Sequence, residues 1–290
     1  MSSSRWARSG RNLVVATMLA VAAVLATIAL APGARDAAQA QAARDSLIVT
    51  SPGPRDVEIM RPETVHVGPT DVTLRNTGDE GVNMGLVRLR PGVTLDELRG
   101  FTSKSAAVPD ALVSIETSQF VEPGTTFQTS VKLAPATYVA LGNIPDGKGL
   151  GPAVDFEAVG PPSGAPAPKA DARIRLYDYG IIGPARIRGS GTLEIANIGS
   201  NNHFLAGIRL NPGVSAAKVA RDLVSGAEDQ GPPPGTFVNV IGLVSPGSDN
   251  AIRIHLPPGR YVVACFFADR HSAGRSHNTY GMVKRLTVTK

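Results

Sequence analysis

The chain has 290 residues, enough for two ordinary domains, and a formal net charge of +5. The first 40 residues hold four arginines and one aspartate, so the remainder carries only +2, too little to predict nucleic-acid binding. The single cysteine, Cys265, excludes an internal disulfide.

The N-terminal segment has the features of a targeting sequence. Arg5, Arg8 and Arg11 form a basic start, residues 13–31 contain no charge, and Ala38-Gln39-Ala40 offers a small-x-small cleavage site. The apolar run of 19 residues is also long enough to span a bilayer. We therefore expect residues 1–40 to be a signal peptide or a membrane anchor. The protein would then be exported, to the periplasm, the extracellular space or the outer membrane face, with membrane contact only through this segment if uncleaved.

An internal repeat predicts two copies of one fold. RNTGDEGVNMGLVRLRPGV from Arg75 aligns with ANIGSNNHFLAGIRLNPGV from Ala196, with Asn76 opposite Asn197. The Pro/Ala-rich segment 160–171, GPPSGAPAPKAD, reads as a linker between residues 41–159 and residues 172–290. Residues 41–159 carry a net charge of −5 and residues 172–290 carry +7, which predicts a weak, salt-sensitive attraction between the copies or an acidic partner.

Short apolar runs broken by Gly, Pro, Asn and Asp predict about seven strands in each copy. Ile252 and Ile254 alternate with polar residues, as expected for a half-buried strand. One short helix is predicted after each PGV triplet. Thr94 and Glu97 form a capping box in the first copy, and Ser215 supplies half of one in the second. These elements predict a β-sandwich in each copy.

The stretch from Tyr261 to Val288 carries the candidate chemistry. Cys265 ends a strand-like run, His277 lies in the following polar loop, and Met282 directly precedes the last strand-like run. A thiolate, an imidazole and a thioether form a soft ligand set, which suits copper when a second histidine joins them. His203, after the turn Asn197-Ile198-Gly199, is the candidate for that histidine.

In these residues the second copy resembles the cupredoxin domain of blue copper proteins. The resemblance implies an all-β fold of two tandem Greek-key β-sandwiches, each with one short helix, after the N-terminal segment. It implies a mononuclear, type 1-like copper site formed by His203, Cys265, His277 and Met282. The Cys-x11-His spacing is longer than in the small electron carriers, and Phe204 stands where many members have an asparagine. His271 competes with His277 but has no methionine at the matching distance.

The first copy is predicted to hold no metal site. Val82 aligns with His203 and Gly142 with Cys265, and the counterpart of the ligand loop, PDGKGLGPAV, has no histidine or methionine. We therefore expect residues 41–159 to be a degenerate domain.

The resulting hypothesis is an exported cupredoxin-like protein that binds copper for electron transfer or copper handling, with a redox protein as a possible partner. The alternative is a metal-free β-sandwich binding module of the cell envelope. An enzyme is not expected, because the five histidines include no His-x-His pair for further copper sites.

Overall fold

The computed structural model describes residues 43–53, 55–100, 110–142, 151–226, 232–269 and 271–290. The predicted signal or anchor, residues 1–40, lies outside this part of the chain. In the residues described, no helix is both long enough and apolar enough to cross a membrane.

The described residues form nine strands in each half, with one α-helix between the fifth and the sixth strand. In the first half these are β1 (Asp45–Gly53), β2 (Asp56–Met60), β3 (Val65–His66), β4 (Gly68–Asn76), β5 (Val82–Leu89), α1 (Leu95–Gly100), β6 (Val113–Val121), β7 (Thr126–Leu133), β8 (Ala136–Leu141) and β9 (Ala153–Val159). In the second half they are β10 (Ala172–Tyr177), β11 (Gly180–Ile182), β12 (Arg186–Arg188), β13 (Ser190–Asn197), β14 (His203–Leu210), α2 (Ala216–Ser225), β15 (Gly235–Val244), β16 (Asp249–His255), β17 (Gly259–Ala264) and β18 (Val283–Thr289). A short 3-10 helix, His277–Tyr280, precedes β18. The predicted all-β class with one short helix per half is confirmed.

Local sequence signals account for these elements. In β16, Ile252 and Ile254 are buried while Arg253 and His255 are exposed, as the alternation predicts. The backbone N–H of Thr94 donates to Glu97 Oε2 at 2.7 Å, and the N–H of Glu97 donates back to Thr94 Oγ1 at 3.2 Å, which completes the capping box that starts α1.

Three sheets enclose the core. The largest has eight strands in the order β11-β10-β13-β16-β7-β4-β1-β2, and two five-stranded sheets have the orders β12-β18-β17-β14-β15 and β3-β9-β8-β5-β6. Buried side chains from all three sheets form one apolar cluster. Tyr261, Val263 and Cys265 lie in this cluster, whereas Val262 packs against α2. Cys265, directly after β17, therefore points into the sandwich on the same face as Tyr261 and Val263.

The two halves share the eight-stranded sheet. Strand β16 of the second half pairs antiparallel with β7 of the first, and Ala42–Lys290 group into one compact unit. The side chain of Ser245 accepts from the Ile115 N–H at 2.8 Å, and Asn250 Nδ2 donates to Glu116 O at 2.8 Å. All four residues are buried. The prediction that opposite charges hold the halves together by a weak attraction is therefore wrong. Strand pairing and buried hydrogen bonds join the halves. The domain boundaries themselves stay predictions.

Candidate metal centre

His203 opens β14 directly after a turn that Asn197 organises. Asn197 Nδ2 donates to Asn201 O at 2.8 Å and to Val244 O at 2.9 Å, while its Oδ1 accepts from the Gly199 N–H at 3.0 Å. An asparagine side chain that bonds its own turn in this way favours a tight reversal of the chain. The turn places His203, which is fully buried, at the end of the sandwich where β17 also ends.

Backbone hydrogen bonds close the loop from Cys265 to Met282. The Cys265 N–H donates to Met282 O at 3.2 Å, and the Asn278 N–H donates to Cys265 O at 2.8 Å. The His277 N–H donates to Phe267 O at 2.8 Å. The side chain of Asn278 further ties the loop to α2 by donating to Leu223 O. The position of His277 is therefore fixed from both sides of the loop.

Three donor atoms converge in the enclosed space. The Nδ1 atoms of His203 and His277 are 3.2 Å apart, and Cys265 Sγ lies 3.9 Å from the first and 3.6 Å from the second. All three side chains are 0 % exposed, and their ligating atoms lie within 4.8 Å of one another. With bonds of about 2.0 Å to nitrogen and about 2.3 Å to sulfur, donors around one ion are roughly 3.2–3.8 Å apart. The observed separations fit a single metal ion.

A carboxylate lies behind each imidazole. His203 Nε2 is 3.2 Å from Asp178 Oδ1, and His277 Nε2 is 3.4 Å from Asp269 Oδ2. The first contact is a hydrogen bond. The second is an electrostatic contact, since the buried Nε2 of His277 has no hydrogen-bond partner among the described residues. In the tautomer that carries its hydrogen on Nε2, each ring turns that N–H toward a carboxylate and leaves the Nδ1 lone pair on the side of Cys265, an arrangement that a cation satisfies.

Burial controls the protonation of the donors. Desolvation lowers the pKa of both His203 and His277, and the mutual repulsion of two charged rings lowers that of His203 further. Both rings are therefore neutral at pH 7 with lone pairs free to bind a metal. Burial raises the pKa of the Cys265 thiol to about 11, so the thiol keeps its proton in the metal-free protein.

Aromatic rings cover His277. The rings of Tyr179 and Phe267 meet it edge-on at centroid distances of 5.2 and 5.7 Å. Tyr280 packs against Tyr179 at 4.8 Å, and the Arg275 guanidinium lies 4.8 Å over the Tyr280 ring. Tyr280 is 40 % exposed. Aromatic rings therefore shield His277, which is 0 % exposed.

The structure brings His203, Cys265 and His277 together as the sequence places them. Met282 is fully buried and is joined to the group by its backbone: its N–H donates to His277 O at 3.3 Å and its O accepts from Cys265. His271 is exposed and does not join the group. The metal-ligand role of the four predicted residues stays a prediction.

Phe204 bonds the cysteine through its backbone. Its N–H donates to Cys265 Sγ at 3.4 Å, which any residue other than proline could do at this position. In the first half, Val82 opens β5 as His203 opens β14, and Gly142 follows β8 as Cys265 follows β17. The remainder of the first-half loop, residues 143–150, lies outside the described residues.

Sequence reasoning missed Asp178, Asp269 and Tyr179. They lie 25, 8 and 98 positions from the histidines they contact, and no spacing rule connects them. The sequence carried one signal, since Asp269 lies inside the ligand loop between Cys265 and His277. Asp178 and Tyr179 join β10 to β11, and only the fold brings them beside the Asn197 turn.

Comparisons with known proteins give structural similarity only. No protein-family model matches the chain, and no curated protein matches it. Similar solved structures include reduced auracyanin from Roseiflexus castenholzii, with 17% identity and a TM-score of 0.26 over 41% of this chain and 95% of that one. They also include the blue copper oxidase of Nitrosomonas europaea, with 15% identity and a TM-score of 0.24 over 84% and 85% of the two chains. The copper nitrite reductase of Nitrosomonas europaea has 13% identity and a TM-score of 0.24 over 84% and 93%.

These comparisons correct one expectation from the sequence. The scarcity of histidines predicted that the chain is not an enzyme, yet the similar structures include an oxidase and a nitrite reductase. The histidine count is therefore no ground for excluding catalysis.

Proposed function

We propose that His203, Cys265, His277 and Met282 bind one copper ion and that the protein uses it to transfer single electrons. The observation that carries the proposal is the convergence of two imidazole Nδ1 atoms and one thiol sulfur, 3.2–3.9 Å apart, in a fully buried space. Soft sulfur donors combined with imidazole favour copper over hard cations. Bound there, copper would supply a couple between Cu(I) and Cu(II).

The chain's own residues hold the donors in place before any metal arrives. Hydrogen bonds between Cys265, Asn278 and Met282 fix the loop, and the Asn197 turn fixes His203. Because all three donors are buried, water is excluded and little rearrangement accompanies a change of charge. Small rearrangement supports fast electron transfer. Metal binding would release the Cys265 proton, since the thiolate is the ligand.

The proposal includes placement outside the cytoplasm. The basic start, the apolar run and Ala38-Gln39-Ala40 support export of the chain. A lone thiol in an oxidising compartment is vulnerable unless it is buried or liganded, and Cys265 is 0 % exposed. The electron partner would be another redox protein in that compartment.

The test is a visible spectrum of the purified protein with added Cu(II). We expect an intense thiolate-to-copper band at one copper per chain. Cys265→Ser should abolish the band and His203→Ala should abolish or strongly shift it. His255→Ala, at an exposed histidine of β16, is the matched control and should leave it unchanged. A protein that takes up no copper would overturn the proposal in favour of a metal-free binding module.

A further inference from the structure

Both histidines of the candidate centre are paired with a carboxylate while being shielded from solvent. His203 and His277 are each 0 % exposed, whereas the side chains of Asp178 and Asp269 are 33% and 14% exposed. The two carboxylates therefore lie between the buried imidazoles and the surface.

Asp178 is held against His203 by a set of donors from one turn. Its carboxylate accepts from the Ser200 N–H at 3.0 and 3.1 Å, from the Ser200 hydroxyl and from the Asn201 N–H at 3.1 Å. Gly199 permits this approach, since a Cβ there would lie 2.5 Å from Asp178 Oδ1 and 3.0 Å from His203 Nε2. A carboxylate with this many donors remains an anion.

Asp269 is held by its own loop. Its Oδ1 accepts from the Ser272 N–H at 2.7 Å, and its backbone N–H donates to Ser272 Oγ at 3.0 Å. Its other oxygen is thereby directed at His277 Nε2, 3.4 Å away. The Arg275 guanidinium on this side lies over the Tyr280 ring.

Two anions behind two ligand imidazoles have a defined electrostatic effect. Negative charge near a metal stabilises its more positive oxidation state, and a carboxylate that accepts from a ligand histidine raises that ligand's basicity. Low polarity around the buried rings strengthens both effects. The first half has no carboxylate at the strand position equivalent to Asp178. Ser51 pairs with Asn76 and Leu176 with Asn197, so two residues onward Gly53 stands where the second half has Asp178.

We infer that Asp178 and Asp269 bias the centre toward Cu(II), giving it a low reduction potential, and that Asp178 is also a positioning residue that directs the Nδ1 atom of His203 at Cys265. The inference rests on the proposed copper function. Asp178 acts through a hydrogen bond as well as its charge, and Asp269 acts through its charge alone.

The first experiment is voltammetry of the copper-loaded full chain. Asp178→Asn keeps an oxygen acceptor of the same shape but removes the charge. It should weaken Cu(II) relative to Cu(I) by about tenfold, which is a rise of about 59 mV in potential. Asp269→Asn should shift the potential in the same direction by a smaller amount. Asp155→Asn, at an exposed position of β9, removes the same charge away from the histidines and should leave the potential unchanged.

The second experiment uses the metal-free protein and nitrogen-15 NMR of the imidazoles. Wild type and Asp178→Asn should show His203 as the Nε2–H tautomer, whereas Asp178→Ala should lose that preference. If copper binds but all three Asn variants share the wild-type potential, the inference is wrong and the proposed function stands. If the wild-type protein binds no copper, the proposed function and the inferred shift in reduction potential are both wrong. The NMR comparison of the His203 tautomer then decides whether Asp178 positions the ring.

Discussion

At the scale of single residues, Gly199 shows how closely the turn, the carboxylate and the imidazole are packed. Its missing side chain leaves room for the Asp178 carboxylate and for the edge of His203. The backbone nitrogen of Asp178 would lie 2.9 Å from an added Cβ, so a larger residue must displace backbone and not only a flexible side chain.

Gly199→Ala should therefore lower the free energy of unfolding by about 1–3 kcal/mol, the usual cost of overpacking. Denaturant unfolding measures the change. Gly53→Ala is the control, because a Cβ at that position has nothing within 4 Å. Equal stability of the two variants would show that the turn has room for a side chain.

Glu116 is a second residue whose environment makes a prediction. Its side chain is buried beside Arg88, with Oε1 3.0 Å from Arg88 Nε. Burial raises the pKa of its carboxyl, and the attraction of Arg88 offsets that rise only in part. Compared with the unfolded chain, the folded protein therefore favours the protonated form of Glu116. The free energy of unfolding falls as the pH rises from the pKa of an unfolded glutamate through the raised pKa of the folded state.

Glu116→Gln should stabilise the protein at pH 7–8 by up to about 1 kcal/mol and by less near pH 4. Melting curves across this pH range provide the measurement. Glu122→Gln, at an exposed position after β6, is the control. A loss of stability at neutral pH in Glu116→Gln would mean that the pairing with Arg88 outweighs desolvation.

At the scale of elements, two tyrosines fix corresponding corners of the sandwich. Tyr138 of β8 accepts from the Ala134 N–H at 2.8 Å and donates to Ala134 O at 3.1 Å. Tyr261 of β17 donates to Pro257 O at 2.6 Å. Both rings are buried, so their hydroxyl groups need these partners. The corner at β17 also positions the strand that ends at Cys265.

Tyr138→Phe should cost more stability than Tyr261→Phe. Tyr138→Phe leaves a backbone N–H and a carbonyl without their partner, whereas Tyr261→Phe leaves only one carbonyl without its partner. Each lost hydrogen bond costs about 0.5–1.5 kcal/mol. Denaturant unfolding compares the two. Tyr177→Phe, with a ring that is 42 % exposed, should change little. An equal loss in the two buried variants would contradict the role of the second hydrogen bond.

At the scale of the whole molecule, the halves are held by a shared sheet and by buried polar groups. Ser245 accepts from the Ile115 N–H at 2.8 Å and donates to Asn202 Oδ1 at 2.9 Å. Such contacts are shielded from ions, so salt should not loosen them. The net charges of the halves, −5 and +7, are therefore not needed to hold them together.

The two halves should therefore unfold in one cooperative transition, and the radius of gyration should not change between low and half-molar salt. Ser245→Ala should lower stability by about 1–3 kcal/mol, because it leaves buried groups unpaired. Calorimetry and small-angle scattering measure these quantities, with Ser190→Ala at an exposed position as control. Two separate transitions, or expansion in salt, would restore the picture of weakly attracted domains.

The sequence by itself determined the parts that depend on neighbouring residues. Alternation along β16, the Thr94–Glu97 capping box and the Asn197 turn were readable because each needs only a few consecutive residues. The three side chains that meet in the candidate centre were also readable, since Cys265 and His277 share one loop and His203 follows its turn. The role of Met282 stays a prediction.

Only the tertiary structure decided what lies behind and around those residues. Asp178 meets His203 because the β10–β11 turn packs beside the Asn197 turn, and Tyr179 covers His277 from the same turn. The pairing of β16 with β7 likewise joins residues about 120 positions apart. Local propensity cannot encode such contacts, because they arise from strand order in a shared sheet, which long-range packing selects.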